Sequence, residues 1–177
     1  SRLGYQVKGW KDANGVEYAV GSEARLDNVD SNDLYAVWEA INVDYTVEFY
    51  YQNVDGTYPD KAKDEDIVTR QGKTDSPVSV TDVDKADKEN GKYVYDINAA
   101  NVETGTVTAD GSLVLKLYFK LNQASCTVRY LWNGTYEKVA EDDVFDSQTV
   151  SKTFTADPKT IANCTIVPEH NVTKSIT

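Results

Sequence analysis

One histidine, two cysteines and no run of about 18 apolar residues leave few chemistries open to this 177-residue chain. The lone His170 removes multi-histidine metal centres. It also leaves room for a single Cys–His pair, too little to expect a nucleophilic site. In Pro168-Glu169-His170-Asn171 the imidazole reads as a solvated turn residue, because no Cys or His sits at ligand spacing. Lacking a long apolar stretch, the chain offers no membrane-spanning helix. Positive charge is also scarce, with 18 Lys and Arg against 29 Asp and Glu and a formal net charge of −11. Such a field repels nucleic acid and anionic membranes, so neither is expected as a partner. No export signal or sorting motif is legible, and an exported parent protein would make this a trimmed internal piece.

What is present favours strands. Twelve Tyr with abundant Thr and Val suit a pleated sheet. Hydrophobic residues make up 40% and charged residues 27%, and mean hydropathy is −0.53, so cores should be thin and sheet-based. The chain also nearly repeats itself. Tyr45-Thr46-Val47-Glu48-Phe49-Tyr50-Tyr51 is followed by an Asp55-Gly56-Thr57-Tyr58 turn. Cys126-Thr127-Val128-Arg129-Tyr130-Leu131-Trp132 is followed by Asn133-Gly134-Thr135-Tyr136. Tyr45 and Cys126 stand 81 residues apart, too far for a solenoid repeat and right for a small module.

The punctuation divides the chain into three segments. Residues 1–40 read as three strands, with Asn14-Gly15 as a hairpin signal. Leu34, Ala36 and Trp38 share one strand face and Tyr35 and Val37 the other, so both faces are expected to be covered. Residues 41–121 form the one complete module. Strands are expected at 45–52, 67–70, 93–95, 105–108 and 113–120. A short helix is expected from Val83 to Glu89, stopping at Asn90-Gly91. Residues 122–177 repeat this order but lack a counterpart of the strand at 113–120. Short linkers at 39–44 and 120–125 leave little slack between neighbours.

These residues resemble two repeat families. Gly4-Tyr5-x-Val7-x-Gly9-Trp10, Asn14-Gly15 and Leu34-Tyr35-Ala36-Val37-Trp38 are similar to the C-terminal part of the internalin-type B repeat (Listeria–Bacteroides repeat). Tyr45-x-Val47-x-Phe49-Tyr50-Tyr51, Asp55-Gly56-x-Tyr58, Gly91-x-Tyr93 and Leu117-x-Phe119 resemble the mucin-binding-protein-like (MucBP-like) repeats of Gram-positive surface proteins. The third segment resembles them too, with Cys126 and Cys164 at positions usually held by Tyr.

The resemblance implies an α+β, strand-dominated fold of tandem β-grasp (ubiquitin-like) modules. Each would have a mixed four- to five-stranded sheet and one short helix. It also implies a secreted, cell-wall-attached bacterial location and no catalytic or cofactor-binding residues. An adhesion or stalk role is expected, with mucin glycans or a host surface protein as the alternative partners.

Cys126 matches Tyr45 and Cys164 matches Tyr93, so the cysteines would face each other if both tyrosines face the core beneath the helix. A disulfide there would close 38 residues and contribute roughly 3–4 kcal/mol on the chain-entropy model. Two free thiols acting as small hydrophobes are the alternative.

Acidic clusters invite a calcium reading that the spacing undermines. In Asp27-Asn28-Val29-Asp30-Ser31-Asn32-Asp33, Val29 and Ser31 occupy ligand positions of an EF-hand and the turn glycine is missing. Asp82-x-Asp84 followed by Asp87 has Ala86 where a ligand belongs. Solvated turns are expected there, with no metal. Carboxylate pairs for glycoside hydrolysis would need a deep aromatic pocket that modules of this size rarely enclose, so no enzyme is expected.

Exposed aromatics are the expected recognition surface, namely Tyr50, Tyr95, Trp132 and Tyr136, against the alternative of Tyr ladders that shield the sheet. Asn133, Asn163 and Asn171 stand in formal glycosylation sequons, read here as strand chemistry. Missing strands at both ends lead to an expectation of weak self-association through open sheet edges.

Overall fold

The computed structural model describes residues 1–23, 33–165, 167 and 174–175. The acidic stretch 27–32 and His170 lie outside the described residues.

Near the N-terminus, β1 (Tyr5–Asp12), β2 (Glu17–Ala19) and β3 (Leu34–Ala40) form an antiparallel sheet in the order β2-β1-β3. Asn14-Gly15 turns β1 into β2 as its sequence dictates. The Asp12 carboxylate accepts from the Asn14 and Val16 N–H groups at 2.9 and 2.8 Å, and Gly15 takes φ +88°. Register slips between Val7 and Gly9 on β1. A Cβ on Gly9 would lie 2.3 Å from the Tyr18 carbonyl oxygen, so only glycine allows this approach. One expectation is corrected: Leu34 and Tyr35 are exposed, so this strand is not covered on both faces.

Next come β4 (Asn42–Tyr51), a 3₁₀ turn (Asp64–Asp66), β5 (Ile67–Lys73), β6 (Pro77–Ser79), α1 (Asp82–Lys85), β7 (Tyr93–Tyr95), β8 (Thr104–Thr106) and β9 (Val114–Leu121). Four of them make a sheet in the order β5-β4-β9-β7, while β6 and β8 pair separately. β5 runs antiparallel to β4, and β7 antiparallel to β9. Thr46 N–H donates to the Leu113 carbonyl at 3.1 Å and Gln52 N–H to the Phe119 carbonyl at 2.9 Å. Donor and acceptor advance together along the chain, so β4 and β9 run parallel and the sheet is mixed.

Helix is confined to one turn and stops short of the expected Glu89. Lys88 and Tyr93 exchange backbone hydrogen bonds at 2.9 and 3.2 Å. Between them Glu89, Asn90 and Gly91 all take positive φ. A tight turn has captured the segment that would have extended the helix.

β10 (Gln123–Leu131) and β11 (Lys138–Thr149) form an antiparallel hairpin with bulges, and β12 (Thr153–Phe154) pairs with β13 (Lys174–Ser175). A hairpin followed by a short two-stranded pair is also how β4, β5, β6 and β8 are arranged. Strands dominate the described residues, as the composition indicates.

The chain divides into two compact units. The first comprises Ser1–Phe49, Ala62–Thr81 and Ala100–Leu117. Its buried apolar side chains are Tyr45, Val47 and Phe49 on β4, Leu115 and Leu117 on β9, and Val107. Each contributes roughly 1.5–3 kcal/mol when fully buried. Tyr45 lies over Gly72, where an added Cβ would come within 2.6 Å of Val107. The second unit comprises Tyr50–Lys61, Asp82–Ala99 and Tyr118–Thr177, and buries Tyr50, Phe119, Leu121 and Val150. The division passes through β4 and β9 and leaves the one-residue connections β3–β4 and β9–β10 each inside a unit.

Candidate functional site

Those two connections have the same construction. Ile41 alone separates β3 from β4, and Asn122 alone separates β9 from β10. Ile41 N–H donates to the Gly4 carbonyl at 3.0 Å, and Gly4 precedes Tyr5, which pairs with Ala40 at the end of β3. Asn122 N–H donates to the Lys92 carbonyl at 2.8 Å, and Lys92 precedes Tyr93, which pairs with Leu121 at the end of β9. In the forward direction, the Ile41 carbonyl accepts from Thr74 N–H at 3.0 Å, just past β5. The Asn122 carbonyl accepts from Val150 N–H at 2.9 Å, just past β11. Each link residue is thus hydrogen-bonded to the strand pair behind it and to the hairpin ahead.

Side chains reinforce both joints by different means. At the first, Thr74 is buried and its hydroxyl donates to the Ile41 carbonyl at 3.1 Å. Buried Gly4, at φ +75°, leaves no room for a Cβ, which would lie 2.7 Å from Ala109 Cβ and from Thr74 Oγ1. Tyr5 donates its hydroxyl proton to the Asp75 carboxylate, and that hydrogen bond raises the phenol's pKa. At the second, Asn122 Nδ2 donates to the Gly91 carbonyl at 2.8 Å and Oδ1 accepts from Gln123 N–H at 2.8 Å. Each bond is worth about 0.5–1.5 kcal/mol net. A one-residue link with both backbone groups engaged has little rotational freedom.

The four candidate recognition residues part company. Tyr50 is only 3% exposed, so its expected surface role is corrected. Its ring stacks on Tyr118 at 4.7 Å, and Tyr58 meets Tyr118 edge-on at 5.0 Å. The sheet's second face is therefore sealed locally by β9 and by a folded-back turn. Tyr58 donates to Asp96 at 2.9 Å, and burial followed by that hydrogen bond raises its pKa strongly. Tyr95 is half-buried, edge-on to Phe119 at 5.9 Å with the Lys85 ammonium over its ring. Trp132 and Tyr136 are exposed, at 49% and 78%, on the β10–β11 turn. Tyr136 takes φ +59°, an uncommon conformation for an aromatic residue. Sequence reading missed Tyr58 and Tyr118 because each looked like an ordinary turn or strand residue. The recurring Gly-Thr-Tyr of the two turns was the available signal.

Compared with known proteins, the chain matches no family model, no curated relative and no solved structure.

Both cysteines are free thiols, each half-buried, with Cys126 in mid-β10. The premise that set them face to face is corrected. Tyr93 meets Tyr51 at 4.9 Å, six residues along β4 from Tyr45, whose own ring covers Gly72. On β11, Asp143 Oδ1 lies 2.6 Å from Lys159 Nζ, and Tyr130 donates to Asp143 Oδ2 at 2.8 Å. The lysine, then the tyrosine, holds the Asp143 carboxyl below its ordinary value. Among the described residues no cluster of three or more His, Cys, Asp or Glu side chains is placed to hold a metal. A shallow cleft of about 180 Å³ lies against β1 and β2, lined by Trp10, Tyr18 and Val37 between Lys8 and Glu17. No helix among the described residues is long and apolar enough to cross a membrane.

Proposed function

We propose that this chain is a non-enzymatic repeat segment of a bacterial cell-surface protein, working outside the cell as a rigid stalk or adhesion module attached to the wall through its parent protein. The observation that carries this reading is the pair of equivalent joints at Ile41 and Asn122. A catalytic domain has no need to build the same strand-to-strand junction twice, whereas a segment that transmits load or fixes spacing does. Order β5-β4-β9-β7, the parallel central pair and α1 between β5 and β7 support a β-grasp fold for residues 41–121. The hairpin β10–β11 followed by β12–β13 supports residues 122–177 as part of a second MucBP-like copy. The β2-β1-β3 sheet supports 1–40 as part of an internalin-type B repeat.

Amide hydrogen exchange tests the stalk reading. The Ile41, Thr74, Asn122 and Val150 amides should exchange as slowly as those in the centre of β4. Free exchange at the link residues beside protected strands would mean that the joints are hinges, and the stalk reading fails. Exposed Trp132 and Tyr136 favour a second reading, a dedicated module for mucin glycans or a host surface protein. Retention on immobilised mucin that Trp132→Ala abolishes, with the far-UV spectrum unchanged, would select it.

A further inference from the structure

Three tyrosine contacts in the second unit differ in ring geometry, and the differences matter for oxidation. Two phenols couple through the carbons beside their hydroxyls, and those carbons point outward in the ring planes. The rings must therefore meet side by side, at an angle between parallel and perpendicular. Tyr50 and Tyr118 stack face to face, 19° from parallel at 4.7 Å, and Tyr50 is buried. Tyr58 meets Tyr118 at 80°, with its hydroxyl committed to Asp96 at 2.9 Å. Tyr51 and Tyr93 differ from both. Their centroids lie 4.9 Å apart at 55°, and both residues are half-buried, so an oxidant in solvent can reach them. Neighbouring groups hold this pair in place. Lys92 Nζ lies 5.0 Å over the Tyr93 ring and 3.0 Å from Glu89, so one face of that ring is occupied. Tyr51 leans on buried Phe119 at 5.6 Å. The Tyr93 backbone is fixed by its two hydrogen bonds with Lys88.

We propose that Tyr51 and Tyr93 are an oxidative cross-linking site, joined as dityrosine when the protein meets a one-electron oxidant such as the ferryl haem of a peroxidase. Each phenol gives one electron to the oxidant and its hydroxyl proton to water. The two phenoxyl radicals then form one carbon–carbon bond, and the hydrogen on each joined carbon moves as a proton to its own ring's oxygen. In sum two electrons and two protons leave the pair, and hydrogen peroxide takes them up to become two waters. Held side by side, the rings couple at an effective concentration that separate chains do not reach. The two residues are 42 positions apart, on β4 and on β7, the last strand in the order β5-β4-β9-β7. The bond therefore ties β7 to β4 across β9 and closes a long loop in the unfolded chain. This chemistry stands whether or not the surface-protein reading does.

The test illuminates the intact chain, at low concentration, with tris(bipyridyl)ruthenium(II) as the one-electron oxidant and persulfate as the final electron acceptor. Dityrosine fluorescence should appear in the monomer fraction. Peptide mass mapping should join the Tyr51 peptide to the Tyr93 peptide with the loss of two hydrogens. Tyr51→Phe and Tyr93→Phe keep the rings and remove the hydroxyls, so each should lower monomer dityrosine by about tenfold or more. Tyr50→Phe should leave the yield unchanged. The linked monomer should also unfold at a higher urea concentration than the unlinked one. A bond mapped to another tyrosine pair within the monomer would overturn the proposal. Dityrosine confined to dimers, through exposed residues such as Tyr35 and Tyr136, would overturn it as well. So would undiminished yield in either of the first two variants, or a monomer that acquires no cross-link at all.

Discussion

Gly4→Ala separates backbone strain from joint packing in one experiment, with Gly15→Ala as its companion. Both glycines sit at positive φ in or beside the first sheet, +75° and +88°. An L-residue there costs roughly 1–2 kcal/mol through its Cβ and the following carbonyl. At Gly15 that is the whole effect, since an added Cβ meets only Lys11 Cε at 3.6 Å, an ordinary contact. At Gly4 the same atom would stand 2.7 Å from Ala109 Cβ, 2.7 Å from Thr74 Oγ1 and 2.9 Å from Ala109 Cα. Relieving that overlap means moving the 109–112 turn or the Thr74 joint, an overpacking cost of about 1–3 kcal/mol more. Urea titration followed by Trp10 and Trp38 fluorescence should therefore show Gly4→Ala to be the more destabilising by about 1–3 kcal/mol. The local readout is sharper. Ile41 and Thr74 amides should exchange faster by roughly tenfold or more in Gly4→Ala and remain unchanged in Gly15→Ala. Equal losses in the two variants, or undisturbed Ile41 and Thr74 exchange in Gly4→Ala, would refute the claim that the joint is tightly packed.

Three further outcomes are expected. Tyr50→Ala should cost roughly 3–5 kcal/mol by emptying a stacked, buried site, while exposed Trp132→Ala should stay within about 0.5 kcal/mol, both read by denaturant unfolding. Asp143 has a lowered pKa beside Lys159 and Tyr130, so its contribution is present above the ordinary carboxylate range and lost as pH falls through the lowered value. Lys159→Ala should bring the Asp143 titration, followed by NMR, back up toward the ordinary value. An unchanged midpoint would mean that the ion pair does not form in solution. Finally, two thiols per chain should react with Ellman's reagent in denaturant without reductant, and none would mean that Cys126 and Cys164 are bonded after all.

Much of the local structure was legible because its causes are local. Asn14-Gly15, Asp55-Gly56 and the Asp110-Gly111 turn carry the left-handed conformations that their backbones need, and alternation in β4 and β9 announces strands with one apolar face. The helix was overestimated because the residues at 83–89 cannot reveal that Tyr93 will take the backbone groups of Lys88. Tyr50 was misplaced for a similar reason. Period-two reasoning sets it opposite Phe49 and Tyr51 and falls silent on whether anything covers that face. The cover is Tyr118, which lies 68 residues along the chain on a strand whose parallel placement no local pattern specifies.

Sequence alone therefore determined the strand-rich class, the near-repeat, the turns and the acidic character, all of which follow from residue type at short range. Tertiary structure alone decided the joints and the coverage of the aromatics. The joints are built largely from backbone groups, so Ile41 and Asn122, Gly4 and Lys92, and Thr74 and Val150 perform matching tasks with no side-chain chemistry in common. Coverage depends on which distant strand lies alongside, and that is why equivalent tyrosines at 58 and 136 are sheltered in one segment and exposed in the other.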